Sequence, residues 1–321
     1  IPGSTSISCG WRLNAKRNSL FEPGGRGSYC GSQGPDWAAK PVGIPSGRHP
    51  SFSAPAFLLE RVRLRCNGTC FVSLNKGGLA GLASIRKGSG PTAWFVNHLV
   101  AARCQEDLMC DLLGKGAAYA GRRGGERLFL NAPEEWDIQE TMCISGFHPS
   151  VQVSALTLPG RIPLLGVEPA QGFRPRSAAD DHPLFRLYNA FTPASVRADT
   201  GMTLQQWKDA QEPRSRRTRE LVLEEGGDVK AWLRMDHHRL WTKVVLTASA
   251  ALQGCLPSIV AFVLNECQSR TLWWEVPEYE EGIRLLLERL GFEASGRYRL
   301  MVKSLVRMVT EPARAAVSTS V

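Results

Sequence analysis

One block of this sequence occurs twice, about 145 residues apart, and that repetition restricts the fold more than any single motif. The first occurrence reads Leu128-Phe-Leu-Asn-Ala-Pro133-Glu134, then a polar stretch of helical pattern, then Ser145-Gly146-Phe147. The second reads Leu272-Trp-Trp-Glu-Val-Pro277-Glu278, then Ile283-Arg-Leu-Leu-Leu-Glu-Arg-Leu-Gly291-Phe292. Pro277 follows Pro133 by 144 residues, and Gly291 follows Gly146 by 145. Upstream, Val72-Ser-Leu-Asn-Lys-Gly77-Gly78 answers Val222-Leu-Glu-Glu-Gly226-Gly227. Matched features in one order mean a single supersecondary unit used twice, because a shared period rarely arises by chance.

Size agrees with duplication. At 321 residues the chain exceeds what one hydrophobic core usually serves. Its 43% hydrophobic and 21% charged residues are ordinary for a globular protein and exclude a disordered one. The longest apolar run, Leu256 to Leu264, falls far short of the roughly 20 residues of a membrane span. The chain opens on Ile1, which points to a start upstream of it, and no signal-peptide pattern stands nearby. Nine scattered cysteines give a reduced, cytoplasmic reading, and Cys66 and Cys70, on either side of Asn67-Gly-Thr69, lack a zinc-ribbon spacing. The net charge of +9 gathers at Arg61, Arg63 and Arg65, at Arg122 and Arg123, and at Arg214, Arg216, Arg217 and Arg219. Without interleaved aromatics these clusters read as solvated faces, and nucleic acid is not the expected partner.

Residues 1–56 hold too much glycine, proline and serine for a packed element and read as an irregular tail. A first domain over 57–158 opens with a hairpin, Phe71 to Leu74 and Leu79 to Ile85, followed by a strand from Trp94 to Val100. Leu108, Met109, Leu112 and Leu113 recur at helical spacing within a helix from about Gln105 to Arg122. A strand from Arg127 to Asn131, a short helix ending at Gly146 and an extended segment from Val151 to Leu158 complete it, and so short a crossover predicts a right-handed parallel pair of those two strands. Residues 159–172 form a linker. The second domain, 173–309, begins with helices that the first lacks, Asp180 to Ala190 and one started by the Thr203-Leu-Gln-Gln206 capping pattern. It then repeats the first plan: a hairpin at Glu220 to Glu224 and Val229 to Met235, a strand at Leu240 to Leu246, a helix from Leu256, a strand at Thr271 to Val276 and a helix from Ile283 to Leu290. Residues 310–321 form a second tail.

This order of hairpin, strand, long helix, strand, short helix closing on Gly-Phe, and final strand resembles the GCN5-related N-acetyltransferase superfamily. Gly146-Phe147 and Leu290-Gly291-Phe292 look like its "lyeklGF" signature. The stretches Gly90-Pro-Thr-Ala-Trp-Phe-Val-Asn-His-Leu-Val100 and Ala120-Gly-Arg-Arg-Gly-Gly-Glu-Arg-Leu-Phe-Leu130 look like its divergent tandem members in bacteria, as does Arg174-Pro-Arg-Ser-Ala-Ala-Asp-Asp181. The resemblance implies an α/β (α+β) fold of two tandem domains, each a mixed, mostly antiparallel twisted sheet flanked by helices and paired with the other.

The resemblance also implies acetyl-coenzyme A as donor, no metal, and a small-molecule or peptide amine as acceptor. Its pyrophosphate would lie on backbone amides opening the long helix, where the helix dipole favours an anion. The expected cofactor segments are Leu99, Val100, Arg103, Cys104 and Gln105 in the first domain and Leu246, Thr247 and Ala248 in the second. The family's small-residue loop is not reproduced. Glu106 and Asp107 would repel phosphate, and the second loop, Thr247 to Cys255, is uncharged with Gly254 as its one glycine. The family's tyrosine acid, four residues before the Gly of Gly-Phe, is replaced by Met142 and Leu287. His98 on the central strand and Tyr279 after Pro277 remain as catalytic candidates. Two functions are expected from this pattern: transfer of an acetyl group to an amine, with reduced or lost activity, or a non-catalytic binding or scaffold role.

Overall fold

A computed structural model describes residues 68–75, 78–101, 106–134, 139–158, 166–238, 241–267 and 271–305. Both terminal tails, and much of the linker, lie outside them. The first half contains β1 (Gly68–Asn75), β2 (Gly78–Lys87), β3 (Ala93–Ala101), α1 (Glu106–Gly121), β4 (Arg127–Pro133), α2 (Gln139–Ile144) and β5 (His148–Leu158). The second opens with β6 (Phe173–Pro175), α3 (Asp181–Phe191), α4 (Ala194–Thr200) and α5 (Leu204–Ala210). It continues with β7 (Thr218–Glu225), β8 (Asp228–His237), β9 (Trp241–Ala248), a 3-10 helix at Ala250–Cys255 and α6 (Leu256–Glu266). Last come β10 (Thr271–Pro277), a 3-10 turn at Glu278–Glu280, α7 (Glu281–Arg289) and β11 (Glu293–Ser304).

All eleven strands join one sheet in the order β1-β2-β3-β4-β11-β5-β10-β9-β8-β7-β6. The halves have exchanged their closing strands: β11 pairs antiparallel with β4, and β5 pairs antiparallel with β10. The expected parallel pair of β4 and β5 is therefore corrected, since β11 lies between them and is antiparallel to both. The six-residue α2 carries the chain past that inserted strand, and the edge of β4 is paired by the other half instead of standing open.

Register makes the duplication concrete. Pro133 lies opposite Tyr298, and Pro277 lies opposite Val153; Tyr298 and Val153 are themselves paired. A pseudo-twofold axis thus runs through the Val153–Tyr298 pair. The β5–β11 ladder carries two irregularities, which leave Ser295 and Ser150 without a partner, again 145 residues apart. Equivalent bulges at equivalent serines are what two copies of one unit produce.

The repeated Gly-Phe has a local cause. Gly146 and Gly291 sit at φ of 80° and 85°, a conformation glycine adopts without a Cβ clash, and each ends its helix. Phe147 N–H donates to Met142 O and Phe292 N–H to Leu287 O, and both rings turn into their cores, each 3% exposed. Under α1 and α2 the first core gathers Ile85, Trp94, Leu99, Leu112, Leu128 and Met142. Its counterpart under α6 and α7 gathers Leu233, Leu246, Ile259, Val263, Trp274 and Leu287. Across the sheet α3 and α5 cover Val222 and Trp232.

The halves are also latched through the turn between β2 and β3. Asp209, at the end of α5, accepts from Thr92 N–H at 3.0 Å and Thr92 Oγ1 at 2.7 Å, while Ser89 N–H donates to Asp209 O and Gln211 O, both at 3.1 Å. A Cβ on Gly90 would lie 1.7 Å from Asp209 Oδ1, which is why the turn is glycine there. Thr203 caps α5 as expected, its Oγ1 accepting from Gln206 N–H at 3.2 Å.

Candidate functional site

Each half contains one pair of parallel neighbours that begin together and then part. Between β3 and β4 the ladder holds from Ala93–Arg127 to Phe95–Phe129, yet β3 runs on to Ala101 and β4 to Pro133. Between β9 and β10 it holds from Trp241–Thr271 to Val244–Trp274, and the strands run on to Ala248 and Pro277. Beyond those points the facing N–H and C=O groups no longer serve this ladder, so each wedge offers backbone hydrogen bonds to an extended guest.

In the first wedge Leu99 and Val100 stand on β3 opposite Ala83 and Leu82, and both are buried. Arg103, Cys104 and Gln105 lie outside the described residues. Leu99 belongs to the core under α1, so His98 turns to the other face, its Nδ1 3.2 Å from Ser84 Oγ. A bulge at Asn97 interrupts the β2–β3 register, and Asn97 Oδ1 accepts from Arg86 Nε at 2.6 Å. The β8–β9 register runs without such a break. Helix α1 opens on exposed Glu106 and Asp107. Those carboxylates complement its own dipole and oppose an incoming phosphate.

The second wedge differs in its helix start. Leu246 faces the core under α6, Thr247 lies opposite Trp232, and Ala248 lies opposite Ala231. Ser249 then caps the 3-10 helix that runs straight into α6, its Oγ accepting from Ala251 N–H at 3.3 Å. Ala250 and Ala251 are exposed, small and uncharged. A Cβ on Gly254 would meet nothing within 4 Å, so no close approach within the chain demands that glycine.

Where β9 and β10 part, the sheet buries charge. Lys243, 4% exposed, donates to Glu212 Oε1 at 2.9 Å and pairs with Glu275 Oε2 at 2.8 Å. Burial alone would lower the pKa of Lys243, but the two carboxylates outweigh it and raise the pKa, keeping the group charged. Tyr298 reaches the same group: burial first, then the charge of Glu275, raises its phenol well above the usual value. Arg234 secures the flank, donating to Glu212 O at 2.8 Å and to Asp236 Oδ2 at 2.8 Å.

At the C-terminal end of β10 the 3-10 turn carries Tyr279 and Glu280, and Tyr279 faces the segment between α3 and α4. Tyr279 is hydrogen-bonded to Thr192, and burial raises its pKa, with the neighbouring Glu280 adding to the effect. Tyr188 of α3 lies 2.6 Å from Thr200 Oγ1. Glu280 stands at the N-cap of α7 without capping it, and burial pushes its carboxyl up to about 8. The two sequence candidates, His98 and Tyr279, thus fall in different halves and are not brought together. Lys243, Glu212, Glu275, Tyr298 and Glu280 were missed. The available signal was a charged residue at an inward position of an otherwise apolar strand, Lys243 in β9 and Glu275 in β10, which demands a buried partner.

His237 Nδ1 lies 3.1 Å from Thr242 Oγ1, and His238 stacks on Trp241 with ring centroids 3.6 Å apart. Among the described residues no three His, Cys, Asp or Glu side chains gather to hold a metal ion, and no helix is long and apolar enough to cross a membrane. Met142 and Leu287, at the positions of the family's tyrosine, are fully buried core residues.

No family model matches this sequence, and no curated protein does. Solved structures do. The chain is similar to a GCN5-related N-acetyltransferase from Sphaerobacter thermophilus at TM-score 0.52 and 15% identity, over 80% of this chain and 87% of that one. It is similar to a functionally unknown conserved protein from Staphylococcus epidermidis at TM-score 0.51 and 12% identity, over 77% and 98%. A tandem GNAT protein from the clavulanic acid biosynthesis pathway aligns at TM-score 0.48 and 13% identity, over 80% and 89%.

Proposed function

With the fold of the GCN5-related N-acetyltransferases as premise, we propose that this chain is an acyl-coenzyme A-dependent N-acyltransferase whose working cleft is the wedge between β9 and β10, the first half serving as its structural partner. The observation that carries this reading is the contrast between the two helix starts. A pyrophosphate suits the Ser249-capped run of Ala250 and Ala251, whose amides open a helix without opposing charge. Glu106 and Asp107 at the start of α1 do not suit it.

Acetyl-coenzyme A enters as a substrate. The acceptor nitrogen attacks the acyl carbonyl, the N–C bond forms as the C–S bond breaks, and the thiolate leaves with the electron pair. The chain's contribution is positional and electrostatic. Backbone N–H groups of β9 between Val245 and Ala248 meet the carbonyl oxygen as charge develops on it. Lys243 is not a base, since its carboxylate partners hold it charged. The acceptor is a small-molecule or peptide amine, reached from the side of the sheet that α3 and α4 cover. His98 belongs to the half that this reading leaves structural. A second reading, in which neither half transfers an acyl group, rests on the acidic start of α1 and on Met142 and Leu287.

Calorimetric titration with acetyl-coenzyme A separates the two. Saturable micromolar binding that the exposed Ala251→Glu weakens at least roughly tenfold supports transfer in the second wedge. Silence at millimolar donor leaves the scaffold role.

A further inference from the structure

In the sequence the arginine run from Arg214 to Arg219 contains no aromatic residue. The fold supplies aromatics from elsewhere in the chain. Arg217 O accepts from His237 N–H at 3.0 Å, which ties the turn before β7 to the end of β8. Beside that junction His238 N–H donates to Trp241 O at 2.8 Å, and the two rings stack 3.6 Å apart and 16° from parallel. Trp241 in turn sets its ring edgewise to Trp273 at 5.6 Å, so the stack is anchored from below while His238 stays exposed.

The turn itself is built firmly. Ser215 N–H donates to Thr218 Oγ1 at 2.9 Å, Arg217 N–H donates to Ser215 Oγ at 3.1 Å, and Thr218 Oγ1 donates to Asp236 Oδ1 at 2.6 Å. The neighbouring carboxylates are already engaged: Glu220 by Arg214, Glu266 by Arg219 and Asp236 by Arg234. Arg216 and Arg217 are exposed, and among the described residues no carboxylate pairs with either. Two uncompensated guanidinium groups on a fixed turn, next to an exposed ring on an anchored stack, match phosphates and a base of one strand.

We propose that this surface binds single-stranded nucleic acid, with backbone phosphates on Arg216 and Arg217 and a base stacked on His238. A duplex hides its base faces inside the helix. A lipid surface calls for an apolar side chain to insert, and the exposed large apolar residues among those described, Leu74, Ile144, Met202 and Leu285, lie on neither segment. The surface stands at the N-terminal end of β9, whereas the wedge opens at its C-terminal end, about 23 Å along the strand. It is therefore separate from the donor cleft and goes beyond the transfer reading.

The test titrates the full chain into a fluorescein-labelled single strand of about twelve nucleotides, read by anisotropy over a series of salt concentrations. Ribose and deoxyribose strands are both used, and saturable binding of either at low salt upholds the proposal. Arg216→Ala combined with Arg217→Ala is expected to flatten the plot of log affinity against log salt by about 1.4, about 0.7 for each phosphate released. His238→Ala is expected to weaken binding roughly tenfold at every salt concentration and to leave the slope alone. All three side chains are exposed, and a cooperative melt confirms that the variants fold. Arg122→Ala combined with Arg123→Ala removes the same charge from the end of α1 and should leave binding unchanged. No saturable binding, equal binding of a duplex or of poly-glutamate, or an equal loss in the α1 variant overturns the proposal. None of those results touches the titration with acetyl-coenzyme A, so the two readings fail separately.

Discussion

The floors of the two wedges occupy equivalent places and are built from opposite chemistry. Ala93 pairs with Arg127 and Trp241 with Thr271, so two residues onward Phe95 and Phe129 correspond to Lys243 and Trp273, and Asn131 corresponds to Glu275. The first half stacks Phe95 on Phe129 at 5.1 Å. The second sets Lys243 over Trp273 at 5.7 Å and secures it with Glu275 and Glu212. Duplication kept the backbone plan while the linings diverged. Glu212 comes from the segment between α5 and β7, so the charged floor needs the opening helices that belong to the second half. A charged floor costs stability to build, which a purely structural half has no reason to bear.

Breaking that floor has the largest expected effect. Lys243→Met takes the shared ion-pair partner from two partly buried carboxylates, with Arg234 and Arg86 still acting on Glu212, and is expected to cost about 2–4 kcal/mol, read as a shifted denaturant midpoint at unchanged slope. Adding Glu212→Gln and Glu275→Gln to it recovers most of the loss, because a neutral floor no longer strands charge. If Lys243→Met alone is silent, the two floors are energetically alike and the contrast between them fails.

The latch comes next. Gly90→Ala drives a Cβ into Asp209, which cannot retreat while it accepts from Thr92 and from Gln205. The expected loss is about 1–3 kcal/mol. Gly254→Ala, where a Cβ meets nothing, is the control, with an effect between none and a gain of about 1 kcal/mol. Equal outcomes for the two would mean that the turn does not hold the halves together.

Glu280→Gln probes the rim of the second wedge by pH. The folded state raises this carboxyl from 4.5 to about 8, so its contribution is intact below pH 4.5 and is lost as pH climbs toward 8. Glutamine never ionises, so the variant should match the parent near pH 4.5 and exceed it above pH 8. Allowing for partial solvent access, the gain is about 1–3 kcal/mol, measured as the difference between melts at the two pH values. Glu278→Gln, two residues away and exposed, should stay within about 0.5 kcal/mol.

Order and type of elements were legible because hydrophobic period and turn chemistry are local. The apolar stripe of α7, formed by Ile283, Leu286, Leu287 and Leu290, and the Gly-Phe stops at Gly146 and Gly291 needed no tertiary knowledge. Strand exchange was not legible. Nothing in the sequence of β5 or β11 says which edge each will cover, because ladder bonds are made by backbone that every residue shares. Helix α4 escaped because Ala194–Thr200 has little apolar stripe beyond Val196. The site was the least legible part. Tyr279 was found from its place after Pro277, but its hydrogen-bond partner Thr192 lies far away in sequence. Lys243 likewise acquires its role from Glu212 and Glu275, each about 30 residues distant.

The smallest expected effect concerns the helix start on which the functional reading turns. Ser249→Ala removes the oxygen that accepts from Ala251 N–H, and Thr203→Ala removes the one that accepts from Gln206 N–H. Each should cost about 1 kcal/mol in a thermal melt, the ordinary worth of a cap. The two need not agree. The bond at Ser249 is 3.3 Å long and its neighbours are exposed, while Leu252 N–H donates to the backbone Ser249 O at 2.9 Å, a bond that does not involve the side chain. If Ser249→Ala costs clearly less than Thr203→Ala, the Ala251 amide is only loosely committed to the protein. A loosely committed amide at an uncharged helix start is one that an anion can claim at little cost. A full cap energy at Ser249 would instead mean that a donor's phosphate must displace a bond as good as the one it makes, and the advantage of the second wedge over the first would then rest on the absence of Glu106 and Asp107 equivalents alone.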